Sequence, residues 1–166
     1  MIQHDDQAQL KGKIQVGDLA PDFTLPNQLG KQIRLHDFLG KKNIVLYFYG
    51  MDNASLCTAE ACAFRDRFQA FMDSEAQIIG ISSDSVESHQ QFAVKQRLPF
   101  ILLSDRQSMV RKLYGVASTL GVLPGRVTYV IDKQGIVRHL FSSLFAPKKH
   151  APEALRALRA LHEERK

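Results

Sequence analysis

The sequence predicts an α/β fold in which a mixed central β-sheet is covered by helices on both faces. Three runs of apolar, β-branched and aromatic residues, separated by segments with helical spacing, are typical of buried strands joined by crossover helices. Two further strands separated by a short turn, and then a last helix, follow them. The chain has 166 residues, of which 45% are hydrophobic, and is long enough to form one domain with a sizeable core.

The N-terminal part predicts a tail followed by a short hairpin. "MIQHDDQAQLKGK" has no apolar run, so we expect a flexible tail over residues 1–13, neither a secretory signal nor a membrane anchor, and a single domain over residues 14–166. "DFTLPNQLGKQIRLHDF" then predicts an N-terminal β-hairpin of two short strands around a turn from Pro26 to Gly30, followed by a short helical turn.

The next segment predicts a buried strand and a long amphipathic helix. "NIVLYFYG" is a continuous apolar and aromatic run, which is typical of a strand covered on both faces. From Ser55 to Met72 the apolar side chains recur three and four positions apart, at Ala61, Phe64, Phe68 and Phe71. One helix is therefore expected over this range.

The rest of the chain completes the sheet. "QIIGISSD" and "FILLSD" predict the second and third strands, and the helix between them is expected to begin with a capping box of Asp84 and Glu87 and to run to about Arg97. A helix through "QSMVRKLYGV" and the loop "ASTLGVLPG" follow. "RVTYVID" and "IVRHLF" predict a hairpin around a "KQG" turn, and "APEALRALRALHEE" predicts a final helix with Pro152 in its first turn. This order of elements is that of a thioredoxin-like fold.

Charge and composition argue against several classes of function. The net charge is +5, but the basic residues occur singly or in pairs, such as Arg111-Lys112, which is typical of a solvated surface. No aromatic stripe is interleaved with them, so we do not expect a nucleic-acid-binding protein. No window approaches the roughly 20 apolar residues of a membrane span. We therefore expect a cytoplasmic protein without a membrane partner.

The chemistry of the sequence centres on its two cysteines, Cys57 and Cys62, in "YFYGMDNASLCTAEACAFRD". Cys57 lies at the start of the helix after a buried strand, where unpaired backbone N–H groups and the helix dipole favour a thiolate. It shares the inward face of the helix. Cys62 lies one step off that face, in phase with Arg65 and Gln69, so core packing does not account for it.

The spacing of the two cysteines predicts a redox-driven conformational switch. Five residues along a helix place the Cα atoms roughly 8 to 9 Å apart, whereas a disulfide requires at most about 7 Å. A disulfide would therefore require that the first turn of the helix unwinds. A peroxide would oxidise the Cys57 thiolate to a sulfenic acid, and Cys62 would then condense with it.

The residues alone allow other interpretations of the two thiols. A buried cysteine that only packs as a small hydrophobe remains open for either position. A zinc site is not expected, because two cysteines with scattered histidines do not supply four ligands. The C-x-x-C spacing of a thioredoxin-type exchange site is absent.

These motifs resemble the peroxiredoxin family, and within it the bacterioferritin-comigratory protein or peroxiredoxin Q subgroup. The resemblance covers nearly the whole chain from Val16 and rests on these segments in the order of the subgroup: "GDLAPDFTLPNQLGK", "LYFYGMDN", "CTAEACAFRDRF", "IIGISSDSVESHQQFA", "LPFILLSD", "VRKLYGV" and "GRVTYVIDKQGIV". It implies that Cys57 is the peroxidatic cysteine and Cys62 the resolving cysteine of the same chain. It further implies that Arg126 supports the thiolate and helps to hold the peroxide.

The resemblance also implies an activity and its partners. We expect a monomeric thiol-dependent peroxidase that reduces hydrogen peroxide and organic hydroperoxides. A thioredoxin-like or glutaredoxin-like protein is expected to reduce the Cys57–Cys62 disulfide. No metal, flavin or haem is expected, because sulfur carries both electrons.

One loop departs from the family pattern. The family has a proline, three residues, a threonine or serine, two residues and the peroxidatic cysteine, and these positions are Gly50, Ala54 and Cys57 here. In the family the hydroxyl hydrogen-bonds the peroxide and the proline shields the pocket. Ser55 is rotated from the required position by about 100° and is expected to cap the helix instead.

The missing hydroxyl predicts a slower or differently selective peroxidase, since removing one preorganised donor lowers a rate by about a hundred- to a thousandfold. Gly50 is expected to widen the pocket for bulkier hydroperoxides.

Two other functions stay open. One is a redox switch or dithiol exchange protein with little peroxidase turnover. The other is a non-catalytic scaffold, in which a Cys57→Ser change would alter nothing.

Overall fold

The computed structural model describes residues 13–116, 118–119 and 123–164. Apart from Lys13, the predicted tail lies outside the described residues. The strands are β1 (Thr24–Pro26), β2 (Gln32–Arg34), β3 (Asn43–Phe48), β4 (Ala76–Ser82), β5 (Ile101–Ser104), β6 (Ser118–Thr119), β7 (Leu123–Pro124), β8 (Val127–Ile131) and β9 (Val137–Ser142).

The helices follow the predicted order, with one addition. They are α1 (Ser55–Asp66), α2 (Phe68–Asp73), α3 (Val86–Gln96), α4 (Met109–Leu113) and α5 (His150–Glu164), with 3₁₀ turns at Leu35–Phe38 and Pro147–Lys149. Over the part of the chain that is described, none of these helices has the length and apolar character needed to cross a membrane.

The central sheet has five strands in the order β5-β4-β3-β8-β9. β3 is parallel to β4, and β4 to β5, whereas β8 runs antiparallel to both β3 and β9. The predicted mixed sheet is therefore confirmed. Because β3 ends where β8 begins, with Phe48 opposite Val127, the loop after β3 and the residues before β8 meet at one edge.

Both faces of the sheet are covered, which explains why β3 is apolar from Ile44 to Phe48. Val45 and Tyr47 pack in one core together with residues of α1, α2, α3 and α5. Ile44, Leu46 and Phe48 pack in the other core, together with the N-terminal segment, the 3₁₀ turn after β2 and α4. Alternation along the strand sends successive side chains to opposite faces, so a strand buried on both faces needs apolar residues at every position.

The predicted N-terminal hairpin is present. β1 and β2 pair antiparallel, with Leu25 opposite Ile33. The turn closes by a hydrogen bond from Gly30 N to Asn27 O of 3.0 Å. Gly30 has a φ of +80°, which a residue with a side chain adopts only with strain.

The single helix predicted over Ser55 to Met72 is wrong, since two helices occupy this range. Arg67, with φ −111° and ψ 14°, leaves the helical conformation and separates α1 from α2. Phe71 of α2 still packs beside Phe64 of α1, with ring centroids 5.6 Å apart. The apolar spacing therefore continues across the break, which is why it indicated one helix.

The predicted capping box of α3 is also wrong, by one residue. Ser85 caps the helix, because its hydroxyl accepts a hydrogen bond from Ser88 N at 3.1 Å. The Asp84 carboxylate instead accepts from Asp52 N at 2.8 Å and from the Ser82 hydroxyl at 2.6 Å. Asp84 thus holds the loop that follows β3 rather than the helix that follows it in sequence.

Candidate active site

Cys57 is the third residue of α1, directly behind the loop that leaves β3. The first backbone hydrogen bond of the helix runs from Thr58 N to Ala54 O at 2.8 Å. The N–H groups of Leu56 and Cys57 therefore precede the helical ladder and carry the positive end of the helix dipole. The Cys57 side chain is only 3% exposed.

Arg126 lies beside the Cys57 sulfur. It directly precedes β8, and its Nη2 donates a hydrogen bond to Cys57 Sγ at 3.3 Å. Its Nε donates to Leu144 O at 3.2 Å, which fixes the plane of the guanidinium. Burial acts to lower the pKa of Arg126, but Glu60 and Cys57 outweigh that effect and raise it, so the side chain stays charged.

Two buried residues that the sequence analysis missed complete this cluster. Glu60 lies one turn after Cys57 and is fully buried, with Oε1 3.4 Å from Arg126 Nη1 and Oε2 3.5 Å from His150 Nε2. Burial raises the pKa of Glu60 to about 8, against the opposing effect of Arg126. An acidic residue on the inward face of a helix was the available signal for Glu60.

His150 is neutral in this cluster. Burial lowers the pKa of His150 to about 4. Its Nε2–H donates to Ser143 O at 2.9 Å, so Nδ1 accepts from the Thr128 hydroxyl at 2.8 Å. We call Arg126, Glu60, Thr128 and His150 the pocket floor, because they lie beneath the Cys57 sulfur on the protein side.

Arg111, which the sequence indicated as a surface charge, connects two segments of the site. Its Nη2 donates to Tyr49 O at 2.6 Å and its Nη1 to Gly125 O at 3.0 Å. The guanidinium carbon lies 5.7 Å from the centroid of the Phe48 ring. Burial lowers the pKa of Arg111. Arg111 thereby ties the end of β3 to the residue before Arg126.

Asp52 anchors the loop between β3 and α1. Its carboxylate accepts hydrogen bonds from the Tyr49 hydroxyl at 2.7 Å, the Ser88 hydroxyl at 2.8 Å and His89 Nδ1 at 2.7 Å. Its N–H donates to Asp84. We call these four hydrogen bonds the Asp52 clamp.

The ligand atoms of Asp52, Asp84 and His89 lie within 4.8 Å of one another, which is close enough to hold a metal ion. The Asp52 and Asp84 carboxylates, however, already accept hydrogen bonds from hydroxyl, imidazole and backbone donors. Protein donors rather than a cation thus balance these oxygens.

Cys62 lies apart from this cluster. It is half-buried and its Sγ donates to Gln96 Oε1 at 3.6 Å. Arg65, which the sequence placed in phase with it, donates from Nη1 to Gln96 O at 2.7 Å. Both cysteines are free and both belong to the continuous helix α1, so the structure shows the state in which that helix is folded.

An apolar pocket of about 250 Å³ opens above the Cys57 sulfur and Arg126. We call its outer lining the pocket rim, which consists of Gly50, Met51, Ala54, Ser55, Leu56, Leu144 and Phe145. Met51 is 56% exposed and Phe145 75% exposed, although both are large apolar side chains. The rim therefore presents hydrocarbon to a molecule that approaches the sulfur.

The prediction that Ser55 caps α1 is wrong. The N-cap is Ala54, with φ −65° and ψ 142°, and it makes no side-chain cap hydrogen bond. Ser55 is the first helical residue and its side chain is exposed at the rim. In the family's sequence pattern Ala54 corresponds to the residue that carries the hydroxyl, and it offers only a methyl group here.

Comparison with known proteins places this site in a family context. Residues 16–140 match the AhpC/TSA family. Peroxiredoxin Q, chloroplastic, of Triticum aestivum is 48% identical over 151 residues, which cover 90% of this chain and 69% of the relative. Its namesake in Arabidopsis thaliana is also 48% identical, over 149 residues that cover 89% of this chain and 68% of the relative.

Solved structures show the same fold. Peroxidoxin BcpB of Mycobacterium tuberculosis superposes with a TM-score of 0.83 at 40% identity, covering 89% of this chain and 98% of that one. The bacterioferritin comigratory protein of Xanthomonas campestris, described for its alkyl peroxide reduction activity, superposes with a TM-score of 0.78 at 28% identity, covering 89% and 97%.

Proposed function

Because the chain belongs to the AhpC/TSA family of thiol-dependent peroxidases, in its peroxiredoxin Q subgroup, we propose that Cys57 is the sulfur that attacks the peroxide. The observation that carries this proposal is the 3.3 Å hydrogen bond from Arg126 Nη2 to Cys57 Sγ at the base of an open pocket. A charged donor binds an anion more strongly than a neutral group, so this contact favours the thiolate.

In the proposed first step the Cys57 thiolate attacks one oxygen of the peroxide. The O–O bond breaks, an S–O bond forms, and the sulfur loses two electrons to the peroxide. The other oxygen leaves as hydroxide or alkoxide and takes up a proton to give water or an alcohol. Arg126 and the N–H groups at the start of α1 stabilise the charge on the departing oxygen.

In the proposed second step Cys62 resolves the sulfenic acid. The Cys62 thiol loses its proton, its sulfur attacks Cys57, an S–S bond forms, and the S–OH oxygen leaves as water. Since a folded α1 holds the two Cα atoms roughly 8 to 9 Å apart, the first turn must unwind before this bond forms. A thioredoxin-like or glutaredoxin-like protein then reduces the disulfide.

The pocket rim supports a preference for organic hydroperoxides. Gly50 leaves the loop without a proline ring, and Met51, Leu56 and Phe145 supply apolar contact area. Burying an alkyl chain against this surface favours its binding by about 25 cal/mol per Å². The Xanthomonas campestris relative is described for alkyl peroxide reduction activity, which supports organic hydroperoxides as substrates here.

The substitution at Ala54 favours one second candidate function. Without a hydroxyl at this position the protein would form the Cys57–Cys62 disulfide slowly and act as a redox switch or dithiol exchange protein.

The proposal further takes the protein to be a monomer of the cytoplasm. Light scattering and cell fractionation test these two assignments.

Stopped-flow oxidation of the reduced protein tests the proposed function. We expect fast oxidation by cumene hydroperoxide and by hydrogen peroxide in the wild type and the Cys62→Ser variant, and none in Cys57→Ser. Mass spectrometry should show one added oxygen in Cys62→Ser and a disulfide in the wild type. Oxidation no faster than that of a free thiol would leave the redox switch as the better account.

A further inference from the structure

The Arg126 guanidinium stands between two groups that can each carry a negative charge. Its Nη2 is 3.3 Å from Cys57 Sγ, and its Nη1 is 3.4 Å from Glu60 Oε1. The exposed fractions of Cys57, Glu60 and Arg126 are 3%, 0% and 4%. One buried cation thus faces both a thiolate and a carboxyl group.

Arg111 also interacts electrostatically with Cys57, but Asp105 has the larger effect on it. A thiolate and a carboxylate on either side of Arg126 would therefore leave one negative charge without a cation of its own. Such a charge is costly, so one of the two groups takes up a proton. Burial raises the pKa of Glu60 to about 8, which supports a protonated Glu60 beside a Cys57 thiolate. Within the described residues, the two carboxyl oxygens of Glu60 make no hydrogen bond, and Arg126 Nη1 makes none either.

The other groups that face Glu60 offer no second positive charge. His150, from α5, is neutral because burial lowers its pKa to about 4, and its Nε2–H already donates to Ser143 O. Tyr47, from β3, is a neutral phenol, since burial and then Glu60 raise its pKa well above the usual range. Glu60 therefore responds to the balance between Arg126 and Cys57.

We propose that Glu60 changes its protonation with the redox state of Cys57, being a carboxylic acid beside the thiolate and a carboxylate once the sulfur is neutral. The inference rests on the proposed function of Cys57. Oxidation removes the thiolate charge, and Arg126 then needs another anion. Glu60 Oε1 lies within reach of Nη1 and supplies it, so the cluster keeps the same net charge in both states.

The exchange balances the first step of the reaction. The Cys57 thiolate, hydrogen peroxide and the protonated Glu60 become the sulfenic acid, water and the Glu60 carboxylate. The proton that Glu60 loses matches the one that the departing hydroxide gains. Glu60 touches neither the sulfur nor the peroxide, so it is a positioning residue that acts through Arg126.

Proton counting tests this inference in the Cys62→Ser background, where only the first step occurs. With a pH-indicator dye at pH 7, oxidation by one equivalent of hydrogen peroxide should take up close to no protons when Glu60 is present, but about one per Cys57 in Glu60→Gln. Glu87→Gln, which removes an exposed carboxylate in the first turn of α3, is the matched control and should behave as the parent does.

A second reaction separates this inference from the peroxidase assignment. In the same Cys62→Ser background, methyl methanethiosulfonate converts the Cys57 thiolate to a neutral mixed disulfide and releases a sulfinate anion without consuming a proton. With Glu60 present this should release about one proton per protein, and in Glu60→Gln none. This count does not depend on whether Cys57 reacts with peroxides. Equal counts in the two proteins would overturn the inference, even if peroxide oxidation is fast.

Infrared difference spectroscopy tests the same exchange without counting protons. When Cys57 is neutralised, the C=O band of a protonated carboxyl should disappear and carboxylate bands should appear. Glu60→Gln should lack this change, and Glu87→Gln should retain it. A carboxyl band that persists after modification of Cys57 would refute the exchange.

Discussion

The pocket rim and the pocket floor differ in almost every physical property, although both lie within reach of the Cys57 sulfur. The rim is apolar, partly exposed and built from one loop, the first turn of α1 and the segment after β9. The floor is polar, buried and assembled from α1, α5 and the start of β8. In the proposed mechanism, charge is therefore controlled beneath the sulfur, whereas the substrate is selected above it.

The largest expected effect comes from removing the cation of the floor. Arg126→Met should lower the second-order rate constant of Cys57 oxidation by about a hundred- to a thousandfold, because the thiolate and the departing oxygen lose their charged donor. The rate constant of Arg126→Lys should lie between those of the wild type and Arg126→Met. One ammonium group cannot face Cys57 and Glu60 in the bidentate manner of a guanidinium. Stopped-flow kinetics with hydrogen peroxide measures both. Equal rates in all three proteins would contradict a role for the floor in the chemistry.

The next largest change in rate is expected when a hydroxyl group is restored to the rim. Ala54→Thr should raise the rate with hydrogen peroxide by about ten- to a hundredfold, because it supplies a hydrogen-bond partner for the bound peroxide. Ala54→Val is the matched control, since it has the shape of threonine without the hydroxyl. A gain in both variants would assign the effect to shape, and a gain in neither would mean that the rim needs no hydroxyl.

The floor should also give stability a pH dependence that the rim does not. Burial raises the pKa of Glu60 from its usual 4.5 to about 8, so its contribution is complete below pH 4.5 and is lost as pH rises to about 8. Over that window the unfolding free energy of the reduced wild type should fall relative to Glu60→Gln by at most about 1.4 kcal/mol per pH unit. Urea unfolding across pH 4 to 9 measures it, and Glu87→Gln is the control, which keeps Glu60 and should show the same pH dependence as the wild type.

The smallest effect separates substrates at the rim. Phe145→Ala should lower the rate with cumene hydroperoxide about five- to tenfold and leave the rate with hydrogen peroxide unchanged, because only the larger molecule contacts the ring. Phe145→Leu should retain most of the rate with cumene hydroperoxide. An equal loss with both peroxides would show that Phe145 positions the sulfur rather than the substrate.

The sequence predicts the sheet well because its strands are specified by their own residues. β3, β4 and β5 are apolar over most of their length and are largely buried on both faces, so each run identifies its own strand. Apolar spacing does not predict the break at Arg67, because the spacing of Phe64 and Phe71 continues across it. The role of Asp84 is not predicted by local patterns either, since its partner Asp52 comes from another part of the chain.

The candidate site is predicted less completely, for a related reason. Cys57 and Cys62 stand out by residue type and spacing, but Arg126 is 69 residues from Cys57 and was identified only through the family resemblance. In the sequence, His150 and Arg111 look like ordinary polar residues. The fold brings His150 next to Glu60 and Arg111 to the end of β3. Contacts of this kind depend on tertiary structure, which local patterns do not report.

The Asp52 clamp, finally, determines timing in the proposed cycle. After the first oxidation, the sulfenic acid stays in the pocket until the first turn of α1 opens, and during that interval a second peroxide molecule can carry it to the irreversible sulfinic acid. The clamp holds the chain just before that turn through Tyr49, Ser88 and His89, so we expect it to lengthen the interval. In the proposed cycle, we therefore expect the tolerance to a burst of oxidant to depend on hydrogen bonds that touch neither sulfur.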